Sequence, residues 1–275
     1  MSDLKTSIAG QRITLASGSE LAYYDSAKDG DRTGNEQTVI LLHGFCGSSA
    51  YWELAAPLLA RHARVIAPDL RGQGLSSASG EGPYSMELYA DDVAGLMDSL
   101  NIEKACLLGH SLGGYITLAF AEKYGDKLNA FGLVHSTPLP DTETAKENRE
   151  KAAAAIRKDG IAAFVDGLVP KLFAPSSDAA LIERAKQIGY GTSVAGAIGA
   201  ALGMKARQDR SGVLESTALP LLLLAGVSDQ IVPREKTHVV NGPHVTQALL
   251  SEAGHMGMLE QPEAFAEAVL SFLKV

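Results

Sequence analysis

An α/β fold, a mostly parallel sheet with helices on both faces, is the class predicted by this sequence. Two features of its patterning predict it. Short continuous apolar runs recur along the chain, as strands buried on both faces require. Segments of helical period separate these runs, the alternation of a parallel sheet with its crossover helices. At 275 residues the chain is long enough for one large core carrying an insertion.

Taken in order, residues 11–25 alternate in polarity around Ser17-Gly18-Ser19 and predict an opening antiparallel hairpin. Asp29 to Asn35 reads as a polar, glycine-containing turn. Val39-Ile40-Leu41-Leu42 is the first buried run, and it stops abruptly at His43-Gly44. Runs of the same kind return at Val65-Ile66-Ala67, Ala105 to Leu108, Ala130 to Val134 and Leu221 to Ala225. Helical period marks Trp52 to Arg61, Ser85 to Leu100 and Gly114 to Tyr124, and a last helix is expected from Pro262. The alternation stops after Val134. From Pro138 to Ser216 the chain is rich in Ala, Lys, Glu and Arg, with helical patterning and no buried strand, until Pro220 restarts the rhythm. Ordinary crossover helices are the competing reading, but the length of this stretch favours an insertion. The expected division is a core of residues 1–137 and 217–275 with a helical cap, 138–216, laid over the sheet.

Composition narrows the partners. Hydrophobic residues make up 46% and charged residues 20%, an ordinary folded chain. The formal net charge of −8, with no basic run, argues against nucleic acid, which needs clustered Lys and Arg. The start, Met-Ser-Asp-Leu-Lys, lacks the basic and apolar regions of a signal peptide, so a cytoplasmic location is expected. The apolar stretch Val194 to Met204 is too short and glycine-interrupted to span a bilayer, and Gly199 and Gly203 predict close helix packing. Cys46 and Cys106 do not make a secreted disulfide framework.

The strongest chemical signal is Gly109-His110-Ser111-Leu112-Gly113, set between the run ending at Leu108 and the helix that follows. A serine lifted above a sheet edge needs a sharp strand-to-helix turn, and glycines two residues to either side remove the collision such a turn causes. Ser111 is the candidate nucleophile. A hydroxyl needs a base, and the base an orienting acid. Of seven histidines, His255 in Ala253-Gly254-His255-Met256 is the candidate base. His43 and His110 sit inside other motifs, His62 reads as a surface residue, and His135 and His244 are lesser candidates that could line the site. Asp229, in the loop after the run Leu221 to Ala225, is the candidate acid. The other location, after Val134, offers His135-Ser136-Thr137-Pro138 and no acid until Asp141. Asp69 reads as a structural carboxylate paired with Arg71. The backbone N–H groups of Phe45, in His43-Gly44-Phe45, and of Leu112 are the candidate oxyanion donors. No phosphate loop or metal-ligand spacing appears, so neither cofactor nor metal is expected.

These motifs and their order resemble the α/β-hydrolase superfamily over nearly the whole chain. They are His43-Gly44-Phe45, Asp69-Leu70-Arg71-Gly72-Gln73-Gly74-Leu75-Ser76, Gly109 to Gly114, Asp229 before Pro233, and Gly254-His255-Met256 before Gln261-Pro262-Glu263. Within the superfamily the chain looks most like the small esterase, enol-lactonase and cofactor-free haloperoxidase branch. The resemblance implies a mostly parallel eight-stranded sheet and a helical cap. It also implies a small-molecule ester or lactone substrate cleaved through an acyl-serine. Haloalkane dehalogenases and epoxide hydrolases of this fold carry aspartate where Ser111 stands. Carbon–carbon bond hydrolysis and acyl transfer to peroxide or alcohol use the same three residues and stay open. So does a non-catalytic receptor that keeps the fold. Trp52, Phe164, Phe173 and the Ala/Gly-rich 191–203 segment are candidates for lining the acyl pocket, with core packing as the competing reading of each.

Overall fold

In the computed structural model, which describes residues 6–28, 37–78 and 82–274, the apolar runs become the centre of one eight-stranded sheet. Its strands are β1 (Gln11–Thr14), β2 (Glu20–Asp25), β3 (Thr38–Leu42), β4 (Arg64–Pro68), β5 (Ala105–His110), β6 (Leu128–Val134), β7 (Leu221–Gly226) and β8 (Val245–Leu250). They lie in the order β1-β2-β4-β3-β5-β6-β7-β8. The predicted hairpin pairs β1 with β2 antiparallel, and β2 is antiparallel to β4; the remaining pairs are parallel. The expected turn at Asp29 to Asn35 lies outside the described residues.

Each run is apolar on both faces because each face has its own cover. In β3, Val39 and Leu41 join a core with Trp52, Leu59 and Phe265. Ile40 and Leu42 point the other way, into a core with Tyr89, Ile116 and Phe120. The first cover holds α1 (Ala56–Leu59) and α10 (Pro262–Leu273), the second α2 (Met86–Ser99) and α3 (Leu112–Tyr124). The helix expected from Trp52 to Arg61 is shorter than its periodicity suggested. A 3₁₀ turn, Ser49–Trp52, comes first, and the single α-turn of α1 starts only at Ala56, with Pro57 in its first turn.

Between β6 and β7 the chain is helical: α4 (Glu143–Leu168), α5 (Ala179–Gly189), α6 (Val194–Ala206) and α7 (Ser211–Ser216). Gly160, at φ 82° and ψ 175°, breaks α4 into two helical pieces. Side-chain oxygens of Thr142, Asp178 and Ser193 cap α4, α5 and α6. Arg184 ties α5 to Glu53, and Arg210 ties the start of α7 to Glu87 and Glu122. No described helix is long and apolar enough to cross a membrane.

Close packing is what the glycines of α6 provide. Tyr84 N–H donates to the Gly199 carbonyl at 2.9 Å, and a methyl at Gly203 would stand 1.7 Å from the Tyr84 carbonyl oxygen. Backbone, not a pliable side chain, blocks that space. Gly203→Ala is therefore expected to cost about 1–3 kcal/mol, the usual penalty of overpacking, measured as a lower urea midpoint at unchanged slope. A midpoint equal to that of the unaltered protein would show that the helix slides without cost.

After β5 and β6 come α3 and α4, and after β7 and β8 come α8 (Arg234–Thr237) and α9 (Gly257–Glu260). The strand order reverses between β3 and β5, which pair in parallel with Leu42 opposite Gly109. In open α/β sheets the crevice beyond the strand ends at such a switch point is where ligands bind. The loop His43-Gly44-Phe45 and the turn at Ser111 leave the sheet there.

Candidate active site

Ser111 is held at φ 51° and ψ −111°, a conformation that costs a non-glycine residue about 1–3 kcal/mol. The surroundings enforce it. Ser111 N–H donates to the Val134 carbonyl at 3.0 Å, and the Ser136 hydroxyl donates to the Ser111 carbonyl at 2.7 Å. A Cβ on Gly109 would lie 2.1 Å from the Gly113 carbonyl oxygen, and one on Gly113 would lie 2.3 Å from that of Leu42. Gly109 thus admits the backbone of the turn itself, and Gly113 admits the neighbouring strand β3. The turn leaves the Ser111 side chain half-buried at the N-terminus of α3.

The loop after β3 folds against this turn. A Cβ on Gly44 would stand 3.3 Å from that of Ser111. Next in that loop, Phe45 sets its ring against Phe164 of α4, centroids 5.8 Å apart. Among the described residues the backbone N–H of Phe45 and that of Leu112 have no acceptor. The Leu112 N–H is one of the unsatisfied donors that every helix N-terminus leaves. His43 fixes the base of the loop, with Nδ1–H donating to the Gly44 carbonyl at 2.8 Å and Nε2 accepting from Leu70 N–H at 2.8 Å. Burial holds its pKa down despite the nearby Asp69 carboxylate.

Asp69 corrects one expectation: Arg71 is not what its carboxylate holds. Asp69 accepts from the backbone N–H groups of Ser49 at 2.7 Å and Leu75 at 2.8 Å. Arg71 instead makes a buried two-point pair with Asp92 of α2, its Nε at 2.8 Å. A carboxylate two positions from an arginine in sequence is the simple pairing, but here the loop needed an acceptor for its own amides.

His255 and Asp229 are brought together. His255 Nδ1–H donates to Asp229 Oδ2 at 2.8 Å, both side chains buried. Asp229 Oδ1 accepts from the N–H groups of Ile231 at 2.8 Å and Val232 at 2.9 Å. Burial opposes ionisation of this carboxyl, yet the His255 charge and the hydrogen bonds from His135 and His255 outweigh it and hold its pKa well below the ordinary range. Among the described residues no hydrogen bond joins the Ser111 hydroxyl to His255; such contacts often close only around substrate.

The loop carrying His255 is fastened from several directions. Its own N–H donates to the Leu172 carbonyl at 2.7 Å, and His110 Nε2–H donates to its carbonyl at 2.8 Å. Glu260 Oε2 accepts from Gly254 and Met256 N–H, while Oε1 accepts from Ala174 N–H and the Ser177 hydroxyl. Glu260 therefore joins the His255 loop to the segment after α4. Sequence reasoning missed it, because its partners are backbone amides that only the fold assembles. It also missed the position of His135, whose Nδ1 lies 3.2 Å from the same Asp229 Oδ2. Nitrogen and oxygen atoms of His135, Asp229 and His255 come within 4.8 Å of one another, close enough to ligate an ion. Both imidazoles, however, aim at one carboxylate oxygen and not at a point between the three groups. Cys46 and Cys106 are buried free thiols, their pKa values pushed up by burial, which keeps them protonated and unreactive. Trp52 is fully buried against His110 and Phe265, and Phe173 is buried too, leaving Phe164 as the candidate aromatic beside the Phe45 loop.

Comparison with known proteins agrees with this architecture. The sequence pattern described as the alpha/beta hydrolase fold matches residues 37–159. A thermophilic esterase from Thermogutta terrifontis superposes with a TM-score of 0.89 at 34% identity, over 96% of this chain and 98% of that one. A putative carbamate hydrolase from Caulobacter sp. (strain K31) is 29% identical, over 89% of this chain and 93% of its own length. The 2-(acetamidomethylene)succinate hydrolase of Mesorhizobium japonicum is 31% identical, over 87% of this chain and 89% of its own. Matches of this extent and identity, on this sheet order and this strand-to-helix turn, make the chain a member of the α/β-hydrolase fold family.

Proposed function

We propose that the protein is a serine hydrolase that cleaves a small carboxylic ester or lactone through an acyl-serine intermediate. One observation carries the reading: a serine held in a strained conformation at the strand-to-helix turn, beside the Leu112 N–H and against the loop that carries the Phe45 N–H, neither donor having an acceptor among the described residues. Ser111 Oγ attacks the carbonyl carbon as His255 Nε2 takes its proton. Asp229, already bonded to Nδ1–H, fixes the ring and stabilises the imidazolium. The carbonyl oxygen becomes an oxyanion held by the N–H groups of Phe45 and Leu112, each such donor worth about 3–4 kcal/mol in studied cases. The intermediate collapses, His255 returns the proton to the leaving oxygen, and water repeats the cycle on the acyl-serine. Helices α4–α7, as a cap over residues 1–137 and 217–275, would shape the acyl pocket, with Phe164 at its edge. The similarity to an esterase supports an ester substrate, and the carbamate-named relative makes carbamates the natural control.

A fluorophosphonate probe, followed by peptide mass spectrometry, tests the reading together with p-nitrophenyl esters of rising acyl length, lactones and aryl carbamates. Expected are stoichiometric labelling on Ser111, an acyl burst, and an optimum among short esters or lactones. Labelling elsewhere, or labelling with no turnover of any ester or lactone, would favour a carbon–carbon hydrolase or a binding protein.

A further inference from the structure

We propose that His135 is a second positioning histidine, which donates from Nδ1 to the Asp229 oxygen that also holds His255 and so sets how strongly that carboxylate pulls on the base. The proposal rests on the assignment of His255 as general base above. Its own support is geometric. His135 Nδ1 lies 3.2 Å from Asp229 Oδ2, against 2.8 Å for His255 Nδ1. With Ile231 and Val232 N–H on Oδ1, the carboxylate then receives four donors, its full capacity.

The carboxylate brings no proton to either contact, so both imidazoles must. His135 is wholly buried, which holds its pKa down despite the hydrogen bond to Asp229. It is accordingly neutral, with its proton on Nδ1 and a bare Nε2. That Nε2 is buried with no hydrogen-bond partner among the described residues and lies against Gly257, where a Cβ would stand 2.5 Å away. The backbone of His135 sits at φ 47°, a region that a bulky residue rarely adopts, and its N–H donates to the Leu224 carbonyl at 2.8 Å. An orphaned ring nitrogen and a strained backbone are both unfavourable, and an apolar side chain would fill the space without the first. The contact to Asp229 is the compensating gain. The next residue, Ser136, holds the carbonyl of Ser111, so one turn after β6 fixes both the acid and the nucleophile's backbone.

A donor to Oδ2 withdraws charge from the bond to His255 and weakens stabilisation of the imidazolium. Without it, the protonated base is favoured and the enzyme needs a more alkaline medium to start turnover. The other titratable groups near this point are His110 from the end of β5, its ring 6.0 Å from that of His135, and Glu260 on α9. Arg234 and Glu235 stand on the outer side of the Asp229 loop, more than half exposed.

His135→Leu removes the donor; His135→Asn keeps an N–H near the position of Nδ1. In His135→Leu the acid limb of the kcat/KM profile should move up by about one pH unit, a tenfold loss below the limb, with KM little changed. His135→Asn should restore the limb. Independently of activity, ¹⁵N shifts of the histidine rings should report His135 as the neutral Nδ1–H tautomer at pH 7 and above. An unmoved limb in a folded His135→Leu protein, no rescue by Asn, or an Nε2–H tautomer would each overturn the proposal. If Ser111→Ala stayed active, the general-base reading would fail instead, while the tautomer measurement would still decide what His135 donates to.

Discussion

Ser111→Ala is expected to lower kcat on a small aryl ester by about 10⁶-fold, with KM little changed. The size follows from the proposed mechanism, in which the nucleophile acts as one unit with its base. Once Oγ is gone, His255 has no proton to take and no acyl-enzyme forms, so only binding and the two N–H donors at Phe45 and Leu112 still act on attacking water. Stability should hardly move. Among the described residues the Ser111 hydroxyl makes no hydrogen bond, and alanine keeps the same strained φ of 51°. Ser111→Gly should be equally inactive but more stable, by about 1–3 kcal/mol, because glycine adopts that conformation without the clash. The pair separates chemistry from folding: denaturation midpoints rank the three proteins, and burst titration excludes contaminating active enzyme. Retention of a tenth of the activity by a folded alanine variant would end the assignment of Ser111 as nucleophile.

Much of this architecture is legible in the sequence where one residue's surroundings are set locally. Val39 to Leu42 announces β3 because both faces of that strand are covered. The edge strand β8 is fainter: Thr246 and Gln247 face solvent, and the run Val245 to Leu250 differs little from a loop that happens to be apolar. The turn at Ser111 is visible because its geometry excludes side chains at Gly109 and Gly113. Asp229 and His255 follow from their places after successive runs. What stays hidden depends on which strands are neighbours. His135 reaches Asp229 only because β6 lies beside β7 and the backbone swings to positive φ at the end of β6. Asp69 looks paired with Arg71 until the loop's amides at Ser49 and Leu75 claim it.

Asp229→Asn tests the other end of the chain of hydrogen bonds, and here the expected loss in kcat is about 10⁴-fold. The substitution is nearly isosteric, so its effect comes from protons. In the native site Oδ1 receives two backbone N–H groups, and Oδ2 receives His255 at 2.8 Å and His135 at 3.2 Å. In the variant the amide oxygen must stay with Ile231 and Val232, since an NH₂ there would face two donors. The NH₂ is then forced toward the two imidazoles, where it can only donate. Both rings must give up the proton on Nδ1 and carry it on Nε2. For His255 that places a proton where the lone pair must receive the one from Ser111, and the base is blocked. KM should change little, because the binding surface is unaltered, while stability should fall by about 1–3 kcal/mol, because the proton moved to the buried His135 Nε2 meets no acceptor among the described residues. Raising the pH should not rescue the rate, for the ring is neutral but in the wrong tautomer. A loss smaller than tenfold, or recovery of the rate at high pH, would mean that Asp229 acts only as a charge and not as the group that sets the tautomer.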